Sequence, residues 1–130
     1  MPSSSSDEPA PELRRRIRAA RRLLSPEAHR RAGDLLARRI GRLTCYRRAE
    51  SLAATLAFDG EADPSEAVRM AWAEGKRVFL PVLRPGRTLR FAPYTARTPL
   101  AENGFGIPEP IVGDADLIGG DDLDLVLTPL

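Results

Sequence analysis

At 130 residues, 42% of them hydrophobic, the chain suits one domain large enough to bury a core, and no apolar run in it approaches the ~20 residues of a membrane-spanning helix. Net charge is only +2 but unevenly spread: 13 arginines stand against Glu27 and Asp34 between Leu13 and Arg48, and seven acids stand with no base between Ala101 and Leu130. The single cysteine, Cys45, excludes an intramolecular disulfide.

Met1 to Pro11 is Ser, Pro, Asp and Glu in the main and lacks the basic-then-apolar order of a secretory signal. It reads as a disordered lead-in, residues 1–11, ahead of a domain over 12–130, with the cytoplasm as default location. Glu12 to Leu24 reads as a helix. Leu13, Ile17, Ala20 and Leu24 form one apolar stripe, with Arg14, Arg15, Arg18, Arg21 and Arg22 largely off it. Ser25-Pro26-Glu27 is a restart signal: a cap, a proline for the first helical position and an acid for the positive end of the dipole. A second helix then runs to about Leu43 on a stripe of Ala28, Ala32, Leu35, Leu36, Ile40 and Leu43.

The pattern changes at Ser51. Leu52 to Phe58 is a short apolar run, consistent with a strand buried on both faces, and Asp59-Gly60 ends it. Asp63-Pro64 opens a third helix carrying Ala67, Val68, Ala71 and Trp72, and Gly75 stops it. Arg77 to Leu83 is the next strand, with Pro81 expected at an edge or bulge because it lacks a ladder donor. Strand, helix, strand in this order predicts a βαβ unit with parallel strands. After a turn at Arg84-Pro85-Gly86-Arg87, Thr88 to Tyr94 reads as a strand. Thr95 to about Asp122 reads as irregular, and Leu123 to Thr128 as a last strand. The result is an α/β fold with a mainly parallel sheet. Two of its helices are spent before the sheet begins, so apolar sheet surface is expected to stand open.

Asp59-Gly60-Glu61-Ala62-Asp63 follows the first strand, at the end where open α/β sheets gather ligands. Its acids begin like an EF-hand loop, but the sixth and twelfth positions are Pro64 and Met70, where glycine and glutamate are required. Spacing alone favours a solvated turn whose Asp63 caps the next helix. Gly104-Phe105-Gly106-Ile107-Pro108-Glu109 is no dinucleotide fingerprint, since Glu109 stands at the last glycine and no helix follows; it reads as a tight, ordered loop. The arginines of the first helix suit phosphate, although a composition-wide preference for arginine over lysine accounts for most of them. His29 and Cys45 lack the partners of a metal site or an activated nucleophile, so no metal ligand is assigned.

The ordered set of segments carries more than any one of them. LRRRIRAARRLLSPEAHR, LAFDGEADPSEAVRMAWAEGKRVFLPVL, RFAPY, NGFGIPEP and DLVLTPL together resemble the 5-formyltetrahydrofolate cyclo-ligase (5,10-methenyltetrahydrofolate synthetase) family over about Glu12 to Leu130. The resemblance implies an α/β fold related to the ribose-phosphate isomerase and CoA-transferase group. It implies a soluble enzyme that uses ATP and magnesium to close 5-formyltetrahydrofolate to 5,10-methenyltetrahydrofolate, through phosphorylation of the formyl oxygen. Among site residues it implies Leu13 and Arg14 at the nucleotide, Arg14 on phosphate. Leu56 would line the apolar side of the pterin, and Glu61 would accept its hydrogen bonds. It assigns no catalytic side chain. The family's lysine falls on Ala10, where its contact is missing.

The family also continues into a glycine-rich phosphate loop that this sequence lacks. The expectation is therefore a partial domain, inactive alone, with a second chain as one possible source of the rest. Two alternatives stand beside this reading: a nucleic-acid-binding module using the arginine-rich helix, which the acidic C-terminal third disfavours, and a non-catalytic remnant.

Overall fold

The Ser25-Pro26 restart does what its chemistry dictates. In the computed structural model, which describes residues 9–56, 63–84, 86 and 88–128, Ser25 Oγ accepts from the Ala28 N–H at 3.0 Å and helix α2 runs Pro26–Gly41. Helix α1 precedes it over Ala10–Leu23. It opens inside the expected lead-in because a proline such as Pro11 is tolerated in a first turn. A short helix α3, Thr44–Arg48, follows where one longer helix was expected to end.

The buried face of α2 is rotated from the predicted stripe. Gly33, Ala37 and Ile40 are buried, whereas Leu35 and Leu43 are 47% and 49% exposed. The cause is close approach to helix α4, Ser65–Ala73, whose Ala67, Val68 and Ala71 are buried. A Cβ on Gly33 would lie 3.1 Å from the Asp63 carbonyl oxygen, so small residues, not leucines, fill this seam.

Four strands among the described residues form the main sheet in the order β3-β2-β1-β6: β1 Ser51–Ala53, β2 Arg77–Arg84, β3 Thr88–Pro93 and β6 Leu125–Val126. β1 is parallel to β2 and to β6, and β3 is antiparallel to β2. The βαβ unit of β1, α4 and β2 is thus as expected, and the fold is α/β with a mainly parallel sheet. The first strand is shorter than its apolar run, its ladder ending at Ala53. The run's last residues, Ala57 and Phe58, lie outside the described residues. The last strand also pairs over fewer residues than its apolar pattern suggests. Asp124 fastens its entry: its carboxylate accepts from the N–H groups of Glu50 at 2.8 Å and Ser51 at 3.2 Å, which together hold its pKa below the ordinary carboxylate value.

Pro81 sits opposite Phe91 in the β2–β3 ladder. Phe91 exchanges its backbone bonds with Ile118 on its far side, at 2.9 Å each way. Pro81 and Phe91 are therefore a non-hydrogen-bonded pair, and the missing donor faces the other edge, past the end of the β1 ladder.

The helical face of the sheet buries Leu52 and Val78 with residues of α2 and α4. On the opposite face Ala53, Phe79 and Phe91 pack with Ile118 and Leu123. That second cluster corrects the expectation of an open face. The stretch that reads as irregular folds back as a cover, although Leu83 and Leu89 remain 47% and 52% exposed. The same stretch holds a hairpin that was not expected, β4 Leu100–Glu102 with β5 Pro108–Pro110.

Candidate functional site: a cleft at the carboxyl ends of the parallel strands

Beyond the last paired residues of β1 and β2 the chain leaves an open cleft of about 450 Å³. Its walls are Thr55 and Leu56 from just past β1, Leu80, Pro81 and Leu83 from β2, Leu89 from β3, and Asn103, Phe105, Ile107, Pro108 and Glu109 from the hairpin. The lining is mainly apolar and, among the described residues, holds one charged side chain, Glu109. That volume is in the ordinary range of a small-molecule site, and the position is where α/β sheets bind ligands.

Glu109 sets the hairpin in place. Its Oε2 accepts from the Leu83 N–H at 3.3 Å and from the Asn103 side-chain amide at 3.2 Å. Leu83 lies two residues past Pro81, so its N–H faces the same edge, and the Glu109 carboxylate supplies its acceptor. Asn103 in turn orders the loop. Its Oδ1 accepts from the N–H groups of Phe105 and Ile107, at 2.8 and 3.1 Å, and Gly106 turns the chain at φ +75°. The tight, ordered loop expected at Gly104–Glu109 is therefore present, and it forms one wall of the cleft.

A smaller cleft of about 220 Å³ adjoins on the helical side, lined by the same Thr55 and Leu56 together with Val68, Arg69, Trp72 and Tyr94 among others. Trp72 donates its indole N–H to the Tyr94 carbonyl at 2.9 Å, and the two rings lie 5.2 Å apart at 55°. A third cleft, about 430 Å³ between α2 and α4, mixes Arg30 and Arg69 with Asp63 and Glu66. Asp63 stands one residue ahead of the expected cap role, since Pro64 takes the N-cap of α4, and its carboxylate accepts from the Ser65 N–H at 2.9 Å and hydroxyl at 2.6 Å. His29 bonds through Nε2 to the Arg21 carbonyl at 3.0 Å, tying α2 to the end of α1.

Of the residues singled out in the sequence, Leu56 lies on the walls of the 450 Å³ and 220 Å³ clefts. Leu13 and Arg14 lie on α1, exposed, and line none of the three clefts. Glu61 and the rest of its Asp59–Ala62 turn lie outside the described residues. Ala10, at the position of the family's lysine, begins α1. Sequence reasoning missed Phe105, Ile107 and Glu109 as site residues; the available signal was the pair of apolar side chains on either side of Gly106, just after Asn103-Gly104. Among the described residues no group of three or more His, Cys, Asp or Glu side chains is arranged to hold a metal ion.

Fold and site define an α/β domain with a ligand-sized apolar cleft at the carboxyl ends of its parallel strands. The chain belongs to the 5-formyltetrahydrofolate cyclo-ligase family, whose model matches residues 6–130. It is 36% identical over 116 residues to the 5-formyltetrahydrofolate cyclo-ligase of Escherichia coli strain K12, an alignment covering 88% of this chain and 64% of that protein. With the Haemophilus influenzae protein of the same name it shares 31% identity over 121 residues, covering 92% of this chain and 65% of the relative. The chain thus spans slightly less than two thirds of the length of these relatives. Its fold matches that of an Aquifex aeolicus 5,10-methenyltetrahydrofolate synthetase at TM-score 0.73 and 23% identity, covering 88% of this chain and 57% of that one. A Mycoplasma pneumoniae 5,10-methenyltetrahydrofolate synthetase matches at TM-score 0.63 and 14% identity, with coverage of 92% and 62%. No helix among the described residues is long and apolar enough to cross a membrane.

Proposed function

We propose that this chain carries the folate-binding part of an activity that converts 5-formyltetrahydrofolate to 5,10-methenyltetrahydrofolate with ATP. The observation that carries the reading is Leu56 on the wall of the 450 Å³ cleft, the one folate-side residue of the family resemblance that the structure describes. The apolar walls suit a flat pterin, and Leu56 lines its face. Glu61, five residues on, is the acceptor for its N–H groups. On the nucleotide side Arg14 pairs with phosphate and Leu13 supports it from the same turn of α1. The magnesium implied by the family would accompany the ATP phosphates, and no step is assigned to it.

The chemistry asks for position more than for a nucleophile. A formamide oxygen leaves poorly until phosphorylated, and attack by the neighbouring ring nitrogen is favoured once the two are held together. Most of the work in phosphoryl transfer is alignment and charge neutralisation. A cleft that immobilises the pterin supplies the first of these.

Thermal melting with and without 5-formyltetrahydrofolate tests the reading. A ligand at 100 times its Kd stabilises the folded state by about 2.7 kcal/mol, a rise on the order of 10 °C for a domain of this size. The rise should shrink in Glu61→Ala. A chain that melts cooperatively and ignores the ligand would rule the reading out.

A further inference from the structure

We infer that the smaller cleft seats the aryl-carboxylate tail of the ligand whose bicyclic ring occupies the larger one. The inference rests on the folate reading above and adds a subsite with Arg69 and Trp72 as its specificity-determining residues. Three observations point the same way.

The first is continuity. Thr55 and Leu56 line both clefts, so a ligand passing over them reaches from one to the other. The second is size. About 150 Å³ holds a benzene in an engineered apolar cavity, so the 220 Å³ of the smaller cleft takes one substituted aryl ring. The 450 Å³ of the larger cleft suits a fused bicycle. The third is charge, and it sets the direction. Among the described residues the larger cleft has a carboxylate, Glu109, and no cation on its walls. A carboxylate-bearing tail is repelled there. Among the described residues the smaller cleft has a cation, Arg69, and no acid on its walls.

Trp72 and Tyr94 add the aryl surface. The indole N–H is already given to the Tyr94 carbonyl, so the rings offer π-surface rather than a hydrogen bond to an incoming ring. Arg69 is paired through Nη1 with Glu66 one helical turn away, both side chains being well exposed, at 61% and 43%. An exposed pair of this kind contributes little. The guanidinium keeps further N–H donors for a ligand carboxylate.

Trp72 is the single tryptophan of the chain, so its emission reports this cleft directly. The experiment titrates the chain with three compounds: 5-formyltetrahydrofolate, p-aminobenzoylglutamate as the tail alone, and 6-methyltetrahydropterin as the ring alone. Melting and Trp72 emission are both read. The tail-bearing compounds should change the emission. The ring alone should raise the melting temperature with little emission change. Arg69→Gln should weaken 5-formyltetrahydrofolate about tenfold and leave the ring alone unaffected. Glu66→Gln, which breaks the same surface pair but keeps the cation, should hold or tighten the tail.

Several outcomes overturn the inference. If 5-formyltetrahydrofolate raises the melting temperature but neither moves Trp72 emission nor responds to Arg69→Gln, the subsite is wrong and the folate reading stands. If Arg69→Gln and Glu66→Gln weaken binding alike, Arg69 acts only through its pair, and the assignment falls. If ATP, in place of the tail, changes the emission in an Arg69-dependent way, the cleft belongs to the nucleotide. If neither ring nor whole ligand shifts melting, the folate reading fails and takes the subsite with it.

Discussion

Tyr46 closes the seam between α3 and the end of α4, and it shows what a single side chain contributes here. It is 1% exposed, its hydroxyl donates to Glu74 Oε1 at 2.6 Å, and Lys76 Nζ stands 4.7 Å from its ring centroid while donating to the Ala49 carbonyl at 2.7 Å. Burial first, and the bond to the Glu74 carboxylate second, push the phenol above its ordinary pKa of 10.0. Tyr46→Phe should cost about 1.5 kcal/mol in denaturant melts, the low end for a bond to a charged group because the exposed Glu74 regains water. The pH dependence has a definite sign. A phenol whose folded pKa is raised contributes its stability fully below 10.0, and loses it as pH rises beyond that value towards the folded one. The gap between wild type and Tyr46→Phe should therefore narrow above pH 10.0; a constant gap would show that the hydroxyl is not held as described. Nothing in the sequence marked Tyr46, since α3 is too short for periodicity to register. Leu56, on the walls of two clefts, was singled out only through the family resemblance, because one leucine in an apolar run is indistinguishable from core.

Elements were legible where local chemistry and packing agree. The Ser25 cap and the stop at Gly75 appear where side chain or backbone freedom requires, and Asp63 bonds to Ser65 at the start of α4. Gly75 ends α4 at φ +79°, with its own N–H bonded to the Trp72 carbonyl and the Lys76 N–H to the Ala71 carbonyl, a Schellman closure. No atom beyond its neighbours lies within 4 Å of where a Cβ would stand, so substitution there tests backbone conformation alone. Gly75→Ala should cost about 1 kcal/mol in equilibrium unfolding, and Gly75→Asn less, since asparagine tolerates this region better. Equal stability of all three chains would mean the turn relaxes to another geometry. β4 and β5 were illegible for the opposite reason. Leu-Ala-Glu and Pro-Glu-Pro have neither β-branched residues nor alternation, and what holds them is tertiary, the Glu109 carboxylate on the Leu83 N–H of β2. The face of α2 was misread because leucines advertise burial more loudly than Gly33 and Ala37, while the close seam with α4 admits only the smaller residues.

Across the whole molecule, stability is unevenly distributed. β1, β2 and α4 carry Leu52, Ala53, Val78, Phe79, Leu80, Ala67 and Ala71, all 5% exposed or less. α1 buries no residue, and Leu13 and Ile17 of its apolar stripe are 37% and 44% exposed. A helix of 14 residues is marginal on its own. The hydrogen bond between His29 and the Arg21 carbonyl ties its last turn to α2. Local opening draws on the elements with the fewest buried contacts. Amides of α1 should therefore exchange with at least roughly 100-fold less protection than those of β1, β2 and α4, a difference of about 2.7 kcal/mol in opening free energy. Exchange followed by mass spectrometry on the free chain measures this, and equal protection would show that the stripe has a partner. The proposed roles make the difference matter. The apolar cleft stands on the stable sheet, while Leu13 and Arg14 stand on the weakly held helix. If both roles hold, ATP should raise protection in α1 selectively, whereas 5-formyltetrahydrofolate should raise it in the hairpin around Asn103 and Glu109. The same exchange experiment then separates the two ligands by where each one orders the chain.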